Sequence, residues 1–85
     1  SAPKVTIRQK IAYISERLSK SQKSSFKELV GSGNSRLEVV VTFLALLELV
    51  KRYRVSARQD ALFGDIHIER SEEWSEGEEF ELEFE

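Results

Sequence analysis

Ser35-Arg36-Leu37-Glu38-Val39-Val40-Val41-Thr42-Phe43-Leu44-Ala45-Leu46-Leu47-Glu48-Leu49-Val50-Lys51 is the stretch that decides the fold. It opens with a capping-box pattern, a serine to close the first turn and a glutamate three residues on to reach back. From Leu37 to Tyr53 nothing breaks a helix, and Arg52 and Arg54 suit its negative pole. On a wheel the apolar residues fill two adjacent sectors, one of Leu37, Val40, Val41, Leu44 and Leu47 and the other of Val39, Phe43, Leu46 and Val50. Together they cover on the order of 200°, whereas a surface helix needs roughly 100°. Either this helix is the centre of its domain or one sector faces a partner, and the two readings are compatible. At about 1.5 Å per residue the apolar run Val39 to Leu47 is too short to span a bilayer, so no membrane partner is expected.

Upstream, Thr6-Ile7-Arg8-Gln9 is a second capping box. Ile7, Ile11, Ile14 and Leu18 follow at helical spacing, which predicts a helix over residues 7–20. Ser19 to Ser25 reads as a polar connector. Phe26, Leu29 and Val30 predict a short helix ending at Gly31, and residues 31–34 a turn in which glycine takes positive φ.

Downstream, Val55–Gln59 and Ile66–Arg70 read as strands by their β-branched content and alternation, joined by residues 60–65. In that connection Phe63, beside Gly64, is expected to be pinned into the core. Helix, short helix, turn, long helix and hairpin is the layout of an α+β winged helix, three helices followed by a β-hairpin wing. Residues 1–70 form this domain and 71–85 an acidic tail. Within the tail, Glu79-Phe80-Glu81-Leu82-Glu83-Phe84-Glu85 alternates strictly and suits a further strand at a sheet edge, its own or another chain's, with disorder as the alternative.

Composition narrows the function. The chain has 85 residues, one histidine and no cysteine, so it offers no disulfide, thiolate metal site or thiol nucleophile. His67 sits mid-strand between Ile66 and Ile68, and no serine has a histidine–acid partner motif. No enzyme and no cofactor is expected. The absent methionine and the Ser1-Ala2-Pro3 start point to one domain of a longer chain. The formal net charge of −2 hides a split: residues 1–68 hold twelve bases and six acids, and residues 69–85 nine acids and one base. Arg36, Lys51, Arg52, Arg54 and Arg58 could meet phosphates as a basic rim.

Val39 to Lys51, with Val55, Gln59 and Phe63-Gly64-Asp65-Ile66, resembles the C-terminal domain of bacterial segregation and condensation protein A. Phe26-Lys27-Glu28-Leu29-Val30 and Ser35-Arg36-Leu37-Glu38 sit where that family has its F-x-E-L and S-R-x-E elements, so the match covers residues 6–70. The resemblance implies a non-catalytic kleisin winged helix that docks on the ATPase head of an Smc protein. A middle segment, missing here, would bind the ScpB dimer, and the closed ring would serve chromosome condensation and segregation in the cytoplasm, at the nucleoid. ATP would be hydrolysed by the Smc heads, and DNA would be met indirectly or weakly.

The residues add one independent point. A DNA-reading helix presents Arg, Lys, Asn or Gln to base edges, whereas Val39, Phe43, Leu46 and Val50 suit an apolar groove. That sector is the expected head contact, with Ile66 and Ile68 on the wing as weaker candidates for edge pairing. Two other functions fit the same residues: a nucleic-acid-binding winged helix using the basic rim, or a self-associating structural domain whose apolar sector pairs with its symmetry mate as a homodimer.

Overall fold

The computed structural model describes residues 6–31 and 35–72. Its elements run α1 (Ile7–Lys20), β1 (Lys23–Ser25), α2 (Phe26–Val30), α3 (Arg36–Lys51), β2 (Val55–Gln59) and β3 (Ile66–Arg70). Three helices cover one side of a small antiparallel sheet of order β1-β3-β2, which makes an α+β domain.

The first helix is specified locally. Thr6 accepts from the Gln9 amide at 3.0 Å while the Gln9 side chain accepts from the Thr6 amide at 2.9 Å, closing the reciprocal box. Ile7, Ile11, Ile14 and Leu18 are all buried, and α1 packs along α3. Their core is completed by Leu29, Val41, Ala45, Leu46, Leu49, Val55 and Ile68.

The connector departs from the sequence expectation. Lys23, Ser24 and Ser25 form a strand, paired with Glu69, Ile68 and His67 of β3. Nothing in Lys-Ser-Ser signals a strand, because its partner lies more than forty residues away and packing context decides such segments. In consequence β3 is the central strand, with β2 on its other side in the register Ala57↔Ile68. The expected tail strand over 79–85 lies outside the described residues.

A short helix needs help at its first turn, and α2 receives it from two sources. Ser25 Oγ accepts from the Glu28 amide at 3.2 Å. Asp65, from the wing, accepts from the Lys27 amide at 3.1 Å and from the Ile66 amide at 2.8 Å. One carboxylate therefore ties the start of the wing's last strand to the start of α2. Burial by itself pushes the Asp65 carboxyl up. The hydrogen bonds from Lys27, Ser25 and Ile66 and the Lys27 charge outweigh it, so its pKa falls below the usual 3.8. A depressed folded pKa contributes stability that is present above the unfolded value and is lost as pH falls through the folded one. Asp65→Asn is expected to be less stable than the wild type at neutral pH, with the gap closing as both are acidified below 3.8. Urea melts at several pH values check this, and a gap that persists unchanged at the acid end would count against the charge as its source.

The end of α3 comes two residues before the expected Tyr53, and it stops in a Schellman turn. The Tyr53 amide donates to Val50 O at 3.0 Å and the Arg54 amide to Leu49 O at 2.9 Å. Tyr53 takes the left-handed position at φ 59 that glycine normally holds, and its side chain is exposed. Tyr53→Gly should therefore raise stability by about 1 kcal/mol, read as a rise in thermal midpoint.

Candidate protein-docking surface

The helix α3 divides lengthwise in a way its sequence does not announce. Val41, Thr42, Ala45, Leu46, Glu48 and Leu49 are buried, and they share one half of the wheel. Two of these six are polar. Thr42 Oγ1 donates to Glu38 O one turn back, at 2.7 Å, which satisfies the hydroxyl inside the helix. Glu48 is 1% exposed, with Arg52 Nη2 at 3.6 Å from Oε1 and no hydrogen bond to either carboxylate oxygen among the described residues.

The outward half is almost wholly apolar. Leu37, Val39, Val40, Phe43 and Leu47 are exposed, and Leu44 and Val50 are half-buried at the edge of the core. Leu37, Val40, Leu44 and Leu47 recur at spacings of three, four and three, the period of a coiled-coil seam. Exposed Arg36 and Lys51 stand at its two ends. Phe43 is fixed beside this seam by Phe26 of α2, edge to face at 6.0 Å and 88°. The stripe is thus preformed on a rigid helix, with little side-chain entropy left to lose at Phe43.

The sequence-predicted contact residues are split by this geometry. Val39 and Phe43 lie on the surface; Val50 and Ile66 are half-buried against the core. Leu46 and Ile68 are corrected: both are core side chains, at 2% and 1% exposure, and cannot reach a partner without unfolding. Edge pairing through Ile68 is corrected as well, because that residue is paired with Ser24 of β1 and Ala57 of β2. The exposed residues that the sequence does not single out are Leu37, Val40 and Leu47, from the adjacent apolar sector. The signal that could have found them is the seam spacing. Two others, Leu62 and Phe63, stand at the wing tip. Phe63 is 92% exposed with φ 62, so the expectation of a core phenylalanine fails. The turn that exposes it is closed by the Gly64 amide on Ala61 O and by the Gln59 side chain on Gly64 O.

The basic rim is partly neutralised. Arg58 pairs with Asp60 at 2.8 Å and half-buried Arg52 with Glu48, and Arg54 is half-buried. Arg36 and Lys51 are exposed. His67 lies 3.5 Å from Asp60 at the surface. Among the described residues no group of three or more His, Cys, Asp or Glu could hold a metal ion, and no helix is long and apolar enough to cross a membrane.

What the described residues define is a small α+β domain that displays an apolar helix face and gathers no metal-binding cluster. The family model for segregation and condensation protein ScpA matches residues 4–71, and the chain belongs to that family. It is 42% identical over 72 residues to segregation and condensation protein A of Lactococcus lactis subsp. lactis, covering 85% of this chain and 30% of that protein. It is 46% identical over 63 residues to the protein of that name from Caldanaerobacter subterraneus, covering 74% of this chain and 26% of the relative. With the one from Clostridium perfringens strain SM101 it shares 39% over 70 residues, 82% of this chain and 28% of the relative. The chain thus spans under a third of the length of these curated relatives. The family and these relatives are named for segregation and condensation.

Proposed function

We propose that this chain is the C-terminal winged-helix domain of a ScpA kleisin and that it docks on the ATPase head of an Smc protein. In this reading α2, the turn and α3 are the helix-turn-helix, and β2 and β3 are the wing. The observation that carries it is the outward half of α3, where Leu37, Val40, Phe43 and Leu47 stand exposed on one rigid face. Such a face cannot read base edges, which need hydrogen-bonding side chains. It suits the core of a protein interface, apolar at the centre with charge at the rim, and Arg36 and Lys51 supply the rim. The remainder of the kleisin would reach the second Smc and ScpB, and the assembled ring would act on the chromosome in the cytoplasm. ATP hydrolysis would belong to the Smc heads.

The test is a titration of the chain against a purified Smc head at low and high salt, with duplex DNA in parallel. Saturable head binding that survives salt supports an apolar interface. Binding to DNA that collapses with salt, and none to the head, would make Arg36 and Lys51 the functional groups and end this reading.

A further inference from the structure

The apolar stripe of α3 has a complementary sequence within the same chain. Residues 79–85, Glu79-Phe80-Glu81-Leu82-Glu83-Phe84-Glu85, alternate acid and apolar side chains without exception. The stripe offers the converse, leucine and valine between two cations, Arg36 and Lys51. The lengths agree. Leu37 to Leu47 spans about 15 Å of helix, and Phe80 to Phe84 about 13 Å of extended chain.

The route is short. The Ser71 amide donates to Arg54 O at 2.9 Å, and the Ser71 hydroxyl to Tyr53 O. The chain therefore leaves β3 beside the turn that follows α3. The eight residue steps from Glu72 to Phe80 reach roughly 26 Å when extended, against roughly 24 Å for the whole of α3. Two other occupants fit less well. A second copy, stripe against stripe and antiparallel, would set Arg36 against Lys51 of its mate, like charge on like charge. The free edge of β2 offers Ser56, Ala57, Arg58 and Gln59, all exposed, and no apolar face to receive two phenylalanines and a leucine.

We infer that residues 79–85 seat on the α3 stripe of their own chain, through Phe80, Leu82 and Phe84, and act as an internal competitor for the partner that docks there. The seat itself needs only the stripe. Its regulatory consequence rests on the proposed reading of α3 as the docking face. A tethered segment meets its site at an effective concentration in the millimolar range, so even a weak seat lowers the apparent affinity for an external partner. The device is a tunable one, since salt weakens the Glu contacts to Arg36 and Lys51 while leaving the apolar ones.

The 85-residue chain has no cysteine, so Glu85→Cys accepts a single nitroxide label, and amide broadening reads where the tail goes. The expected result is broadening along Leu37–Leu47, lost in Phe80→Ser/Leu82→Ser/Phe84→Ser, with the other amide shifts of residues 6–72 unchanged. Broadening confined to β2, or absent from α3, overturns the seat. Broadening that appears only when labelled chain is mixed with unlabelled isotope-enriched chain also overturns it, in favour of a second copy. In the head titration, the tail variant should bind several-fold more tightly than the wild type. If neither binds the head while α3 broadening persists, the docking reading fails and the seat stands.

Discussion

Leu46→Arg is expected to unfold the domain, while Leu47→Arg, one residue on, is expected to leave its thermal midpoint within a few degrees of the wild type. Leu46 is 2% exposed, in the half of α3 that meets α1 and the sheet, and Leu47 is 44% exposed. Truncation of a buried leucine to alanine already costs about 2–5 kcal/mol. An arginine there adds a charge with no place for its hydration, at several kcal/mol more. A chain of this length has about 4–13 kcal/mol of stability in all, so the sum is comparable with the total. At Leu47 the guanidinium points to water, and arginine propagates a helix nearly as well as leucine. Circular dichroism melts of the two variants read this directly. The reverse order of midpoints would mean that α3 is turned on its axis, with Leu47 inward, and equal midpoints would equally end the division into core and docking face.

That division is also where the sequence stopped being legible. The elements were readable because each is specified locally: Thr6 and Gln9 close α1, Ser35 starts α3, and alternation marks β2 and β3. The Lys23–Ser25 strand was not, since its identity lies in its partners, Glu69, Ile68 and His67. The orientation of α3 is only half legible for a related reason, with Val39 and Phe43 of the expected sector exposed and Leu46 buried. Polar residues mark a helix's wet face only when apolar ones are scarce elsewhere, and in α3 apolar residues surround the helix. Thr42 and Glu48 then look like the wet side but are buried, one satisfied by Glu38 O and the other beside Arg52. With no polar stripe to orient it, α3 takes the rotation that the isoleucines of α1 and the Leu29 of α2 leave room for. Asp65 shows the reverse case. Its place in Phe63-Gly64-Asp65-Ile66 stood out in the sequence, and only the fold shows why an acid is needed, since the amide it accepts from belongs to Lys27, far back in the chain.

Under the docking reading, Val40→Asp combined with Leu47→Glu is expected to abolish head binding without unfolding the chain. The two positions are seven residues, two helical turns, apart on one stripe and are 47% and 44% exposed, so neither change disturbs the core. Each places an unpaired carboxylate in an interface that excludes water. Losses at hot-spot positions run to about 2 kcal/mol or more each, and about 4 kcal/mol together is roughly a thousandfold in affinity. Arg36→Ala with Lys51→Ala should behave differently: rim charges act mainly on association rate and salt dependence, so its affinity should change little at high salt. A third variant, Leu62→Ser with Phe63→Ser, asks whether the wing tip is a second anchor. If Val40→Asp/Leu47→Glu binds the head like the wild type and the wing-tip variant does not, the contact belongs to the exposed Leu62–Phe63 pair and α3 is not the docking face. Strong loss in the α3 variant, set against salt-sensitive change in the cation variant, would separate an interface held by apolar contact from one held by charge.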